Sequence, residues 1–409
     1  MFNFFLLYID PGTGSMLISV ILGSVATLYF FVRALVIKLK GPVSSSKHKY
    51  SIDNAYPFIV YSEDDRYWNL FRPVLDEFEK RQIPLLYLVA DEKDPVFNNK
   101  YSSIVPKVIG KGNKAYAYMQ FISSDFVLMT TSGLGIYQLK KSKNVKHYSF
   151  LNHAANDICF YHLFNLDHYD SILLTTDIQK YYLRKLEEVR GQSPKELVTV
   201  GCPYLDVYMS MINDLEKESV HPFTVLLSPS WGTSGLLSVY GEKLIGALSR
   251  TPWRIIIRPH PQSRISEKKM LDNLQSRYSA NENILWDYER NNIISLSKSD
   301  IMISDFSGII FDYFFLFNRP VLYNNQKFDI RMYDAIQLGE DPWQFKTLKK
   351  IASELNEEVF SSLEGFIANI INDSSRSALL ADIKKEAWMY PGESGKRIAD
   401  YMIQKVNNK

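Results

Sequence analysis

The chain has 409 residues, enough for two domains with separate cores, and its 47 Lys and Arg against 45 Asp and Glu leave it nearly neutral. That balance excludes the broad basic footprint of a nucleic-acid binder. Cys159 and Cys202 lie far apart without CxxC spacing, so neither a disulfide framework nor a zinc ribbon is supported, and the pair fits a reducing compartment.

The first 40 residues read as a membrane anchor. Residues 2–9 are apolar but too short to span, residues 10–15 form a turn, and residues 16–37 are apolar apart from Ser19, Gly23, Ser24, Thr27 and Arg33. About 20 helical residues rise roughly 30 Å, enough to cross the hydrocarbon layer of a bilayer. No basic residue precedes the apolar core, as a cleaved signal peptide would need; Arg33, Lys38, Lys40, Lys47 and Lys49 come at its end or after it. The positive-inside rule then places everything after Lys40 in the cytoplasm. Residues 41–54 are polar, with a triple serine, and read as a linker.

Strand and helix signals alternate from there. Strands are predicted over 57–61, 84–90, 104–109, 125–130, 145–150, 171–175 and 196–200, with helices over 68–81, 114–122 and 178–190. Such alternation predicts βαβ units and a parallel sheet, and no GxGxxG fingerprint accompanies it. After one strand, Thr130-Thr131-Ser132-Gly133-Leu134-Gly135 opens a candidate helix through residues 137–139. After the next comes Leu151-Asn152-His153-Ala154-Ala155-Asn156-Asp157. A helix beginning after His153 would set His153 and Asp157 side by side at i, i+4, a carboxylate-supported imidazole suited to general-base work. His147, His162 and His168 lie in the same region, but their spacings match no common zinc pattern.

Residues 214–221 are polar and mark the boundary of a second domain. Its strands over 224–227, 253–257 and 301–303 each end in a polar loop: Ser228-Pro229-Ser230-Trp231, Arg258-Pro259-His260-Pro261 and Ser304-Asp305-Phe306-Ser307-Gly308. In a parallel sheet these ends share the edge where open α/β folds bind ligands. Pro259 and Pro261 hold His260 on an extended, stiff stalk, which suits a group that stabilises developing charge. Residues 309–317 read as a buried helix and residues 321–323 as the next strand. The unpaired amides at that helix's first turn favour a phosphate, although Ser and Asp also cap ordinary core helices. Asp312, five residues on from Ser307, reads equally as an acceptor for a ligand hydroxyl or as a buried structural acid.

Ser304-Asp305-Phe306-Ser307-Gly308-Ile309-Ile310-Phe311-Asp312 with Arg319-Pro320-Val321 closely resembles the signature of the CDP-glycerol glycerophosphotransferase family, which builds or primes teichoic-acid-like envelope polymers. Arg258-Pro259-His260-Pro261 resembles that family's RPHP-like motif, Pro229-Ser230-Trp231 its Pro-Thr-Trp loop, and the Gly201 to Asp206 turn its inter-domain crossing. Where the family has a WHG-like motif, this chain reads Asn152-His153-Ala154.

The resemblance implies a GT-B fold: an α/β protein of two Rossmann-like domains with parallel sheets, here preceded by one transmembrane helix. The expected organisation is an anchor over 1–40, a linker over 41–54, an acceptor domain over 55–215, and a CDP-donor domain over 216–409 whose last helix crosses back. It implies His153 as base, with Asp157 as the support that the i, i+4 spacing suggests, and His260 as the second catalytic group, in contact with the donor's phosphates. Donor phosphates fall to Arg258, Ser304, Asp305, Ser307 and Gly308, and the donor's polyol or nucleotide to Ser230, Trp231 and Asp312. The implied partners are a CDP-polyol donor and a lipid-linked saccharide acceptor at the bacterial plasma membrane, without cofactor or metal. Rival readings are a glycosyltransferase or nucleotide-sugar epimerase using a UDP-sugar, and a non-catalytic membrane scaffold.

Overall fold

Successive strand residues point to opposite faces, and both sheets of this protein are apolar on both faces. In the computed structural model, residues 56–409 are described except 216–220, 327, 374–376 and 409; of the first 55, residues 24, 27–29 and 32 are described. Residues 1–53 and 54–409 are separate compact units.

Seven strands form the first sheet: β1 (Phe58–Ser62), β2 (Leu85–Val89), β3 (Ile104–Val108), β4 (Phe126–Met129), β5 (Tyr148–Leu151), β6 (Ser171–Leu174) and β7 (Glu196–Thr199). Their order is β3-β2-β1-β4-β5-β6-β7, with every pairing parallel. The second sheet holds β8 (Thr224–Leu227), β9 (Arg254–Ile257), β10 (Ile284–Trp286), β11 (Ile301–Ser304), β12 (Val321–Tyr323) and β13 (Ser353–Glu354). Its order is β10-β9-β8-β11-β12-β13, again all parallel.

Alternation supplies each sheet with two cores. Ile59 and Tyr61 pack on one side of β1 while Phe58 and Val60 pack on the other. In β11, Met302 faces the layer holding helix Ile309–Phe317, and Ile301 and Ile303 face the opposite layer. Strand order reverses between β1 and β4 and between β8 and β11, so each lobe has a switch point where neighbouring loops part and leave a crevice.

The final helix, Ser394–Asn407, returns to the first lobe, where Ile398, Ala399 and Met402 join the core beneath β1 and β4. Asp206 begins that return by accepting from Gly392 N and Ser394 N, at 2.7 and 3.1 Å. Gly395 is required because a Cβ there would lie 2.5 Å from the Pro73 carbonyl oxygen.

Two expected helices are absent. Residues 132–139 form turns, and residues 152–157 run irregularly with backbone groups tied to other elements; Gln179 Nε2, for example, donates to Asn156 O at 2.7 Å. Among the described residues no helix is long and apolar enough to cross a membrane. The expected span over 16–37 lies outside the described residues except at 24, 27–29 and 32, which are helical.

Gly395→Ala is expected to destabilise by about 1–3 kcal/mol through overpacking. Gly365→Ala, in helix Leu363–Asn372 with open space around it, should be neutral or slightly stabilising. Equilibrium denaturation of the two variants checks the contrast.

Candidate active site

A cavity of about 320 Å³ opens between the two lobes, and its walls come from both switch points. The loop after β1 contributes Arg66 and Tyr67, the loop after β5 contributes His153, and the start of helix Ile309–Phe317 contributes Gly308 and Asp312. Tyr204 and Tyr208, one turn apart on helix Pro203–Leu215, complete the wall.

His153 is held by a relay that sets its tautomer. The Thr130 hydroxyl donates to Leu151 O at 2.8 Å, so its hydrogen is committed. His153 Nδ1 lies 2.7 Å from the same oxygen and must therefore supply the proton of that bond. Tyr161 OH lies 3.3 Å from Nδ1, and Tyr67 packs on the ring at 5.2 Å. Nε2 is left as a bare lone pair. Burial, and secondarily the charge of Arg66, pushes the imidazole pKa down to about 4, so the ring is neutral at physiological pH.

Asp157 takes no part in this. Its Oδ2 accepts Gln344 N at 2.6 Å, in the first turn of helix Trp343–Ile351, because the missing helix turns its side chain away from His153. Burial raises its pKa to about 6. Gln344 also accepts from Asn156 Nδ2 and donates to Phe306 O, both at 2.6 Å, joining the His153 loop to the loop after β11.

His260 carries the opposite tautomer. Pro261 has no N–H, so Gln262 offers the first amide, and it donates to His260 Nδ1 at 3.1 Å. A neutral ring then bears its proton on Nε2. Burial lowers the His260 pKa, opposed by Glu267 and reinforced by Arg66. Trp231, 48% exposed, has its ring centroid 6.4 Å from that of His260.

The loop after β11 divides its labour. Ser304 is buried and its hydroxyl donates to Ser228 O. The Asp305 carboxylate accepts from Ser230 N, Ser230 Oγ, Leu236 N and Ser307 N, at 2.7 to 3.2 Å. These groups, with Ser230, are spent on binding two loops together and have no hydrogen bond left for a phosphate. Gly308 N and Ile309 N have no acceptor among the described residues, and they stand at the positive end of the helix. Asp312 accepts from Tyr204 OH, and burial raises its carboxyl pKa to about 7.

Arg258 is likewise committed. It pairs with Asp287 and donates to the carbonyls of Glu289 and Arg290, and Arg290 in turn pairs with Asp65 of the first lobe. The other histidines are dispersed: His147 bonds Ser171 Oγ, His162 stacks on Tyr333, and His168 packs on Gly135. Sequence reasoning overlooked Arg66, Tyr67, Tyr204 and Tyr208. The switch-point rule pointed to the first two, as the loop after β1; nothing in the local sequence marked the tyrosines.

Two facing Rossmann-like lobes with a cleft between their switch points define a GT-B-type fold. The family model for CDP-Glycerol:Poly(glycerophosphate) glycerophosphotransferase matches residues 139–339, and that match supports a CDP-glycerol glycerophosphotransferase-like enzyme. The fold is similar to the wall teichoic acid polymerase TagF, at 14% identity over 87% of this chain and 91% of that one, with a TM-score of 0.56. A TagF variant soaked with CDPG gives 15% identity, 88% and 91% coverage, and a TM-score of 0.57. UDP-GlcNAc 2-epimerase from Methanocaldococcus jannaschii, in complex with UDP-GlcNAc and UDP, gives 14%, 85% and 98%, and 0.54. No curated protein sequence matches the chain.

Thr130→Val is expected to lower turnover on the order of 10²-fold by freeing the imidazole to rotate or change tautomer, while Thr130→Ser retains it. Asp157→Asn should keep turnover within about threefold. Because the folded pKa of Asp157 lies above its unfolded value, stability falls as pH rises from 3.8 through about 6. Asp157→Asn should remove that fall, on the order of 3 kcal/mol. Initial rates and denaturation between pH 4 and 7 test each point.

Proposed function

We propose that the protein is a membrane-anchored transferase that moves glycerol phosphate from CDP-glycerol to a hydroxyl of a lipid-linked saccharide or polymer, releasing CMP. One observation carries the reading: two neutral histidines have opposite tautomers, His153 in the wall of the interlobe cavity offering a lone pair and His260, in the loop after β9, offering an N–H.

The acceptor hydroxyl attacks the phosphorus that bears glycerol. A new O–P bond forms, the hydroxyl proton passes to His153 Nε2, and the bond to the oxygen bridging the α-phosphate breaks. CMP leaves with that electron pair. His260 Nε2–H and the free amides of Gly308 and Ile309 donate to the phosphate oxygens, where such preorganised donors act most strongly. Ser307 stands beside those amides, and Trp231 offers a flat face to the cytosine. Asp312, whose carboxyl pKa burial raises to about 7, meets the glycerol hydroxyls with less repulsion of the diphosphate than an ordinary carboxylate would exert.

The anchor belongs to residues 1–40, with catalytic domains on the cytoplasmic side of the bacterial plasma membrane. Leu28, Tyr29 and Val32, helical and 63%, 60% and 49% exposed, support a lipid-facing surface there. A lipid-linked acceptor accounts for holding the enzyme at the bilayer.

The purified chain should release CMP from CDP-glycerol in the presence of acceptor lipid, and His260→Ala should lose roughly 10²–10³ of that rate. UDP release from a UDP-sugar, or a full cellular role retained by His260→Ala, contradicts the reading. Loss of activity at acid should follow protonation of His153, with its midpoint near pH 4 rather than 6.5.

A further inference from the structure

We propose that Arg66 is the cation that grips the transferred phosphoryl group of the nucleoside diphosphate donor. The chemistry of this assignment rests on the transfer reading above, and its place rests on the cavity.

Phosphoryl transfer needs positive charge where the migrating group sits. Arg258, which the sequence suggested for this, has its guanidinium bound to Asp287 and two backbone carbonyls. Arg290 is bound to Asp64 and Asp65. Of the residues lining the interlobe cavity, Arg66 alone carries a positive charge. Its side chain is 64% exposed and its ion-pair partner among the described residues is Asp64, with Nε 3.5 Å from Oδ1, while Glu63 lies within its electrostatic reach. Neither terminal nitrogen has a hydrogen-bond acceptor among the described residues. The guanidinium lies 5.3 Å from the Tyr67 ring, and Tyr67 packs on His153, so the cation stands on the same support as the base.

Its position between the lobes has an electrostatic signature. Arg66 lowers the pKa of both His153, on its own lobe, and His260, on the other. The phosphorus must lie between the base and the phosphate-binding amides of Gly308, and Arg66 and Gly308 face the same cavity. In the reaction Arg66 neither gains nor loses a proton. Its N–H groups hold the non-bridging oxygens of the glycerol-bearing phosphate while the acceptor O–P bond forms and the bond to CMP breaks.

Calorimetric titration of the full chain with CDP and with CMP reads this contact without turnover, because the nucleotides differ by the β-phosphate. Arg66→Ala should lose about 10–100-fold in affinity for CDP and less than about threefold for CMP, with Arg66→Lys between. Equal losses for the two nucleotides, or none, overturn the assignment. In turnover with CDP-glycerol, Arg66→Ala should lower kcat by roughly 10²–10³. A rise confined to the acceptor's KM would also overturn it. If the wild type releases no CMP from CDP-glycerol, yet its preference for CDP over CMP depends on Arg66, the transfer reading fails and the diphosphate contact stands. An unchanged unfolding midpoint in Arg66→Ala, expected of so exposed a side chain, separates lost binding from lost fold.

Discussion

The second lobe's half of the site depends on one buried carboxylate. Asp305 has no exposed surface and accepts from Ser230 twice, from Leu236 N and from Ser307 N. A charge so placed is costly unless its oxygens are satisfied, and four donors from two loops satisfy it. Burial still raises its pKa, so the donors offset the desolvation in part. The consequence is geometric. The loops after β8 and β11 are held at one spacing, and Ser307 N is directed inward while the next two amides of the helix mouth have no acceptor among the described residues. An empty helix N-terminus favours an anion by roughly 0.3–1 kcal/mol when exposed, and more when partly buried. The clamp supplies that second condition.

Against this fixed helix mouth the two histidines are set by different means. His260 takes its tautomer from a backbone amide in its own turn, a local device that two prolines make almost inevitable. His153 takes its tautomer from a hydroxyl whose proton is already committed to a strand carbonyl, a device spread over β4, β5 and the loops after them. Burial keeps both rings neutral, which a base and a neutral donor each require. Gln344 then ties the His153 loop to the loop after β11, so the two halves of the site share a hydrogen-bonded floor.

The lobes meet through Arg258, expected to hold the donor's phosphates, and Asp157, expected to support the base, and both are engaged elsewhere. Arg258 orders the loop over 287–290, and that loop presents Arg290 to Asp65 across the cleft. Asp157 holds the start of helix Trp343–Ile351. Both residues act on the site by fixing what carries it.

Much of this was legible in the residues alone. Continuous apolar runs separated by helical periods imply parallel sheets covered on both faces, and the predicted strands lie within a residue or two of those observed, apart from a late start to β5. The stalk of His260 and the mouth of helix Ile309–Phe317 were legible too, because prolines, glycines and capping residues act on their nearest neighbours. The partner of His153 was not. Spacing suggested Asp157, but the intervening chain is pulled out of helical form by bonds to Gln179 and Gln344, which lie on other elements. Nor could sequence show that Arg258 is spent on Asp287 and two carbonyls while Arg66 has only the longer contact to Asp64, since both are arginines in loops after strands. Local order followed from sequence because it is governed by backbone sterics and short-range periodicity. The availability of a charge or a lone pair was decided by tertiary structure alone, because it depends on which distant groups folding brings within hydrogen-bonding reach.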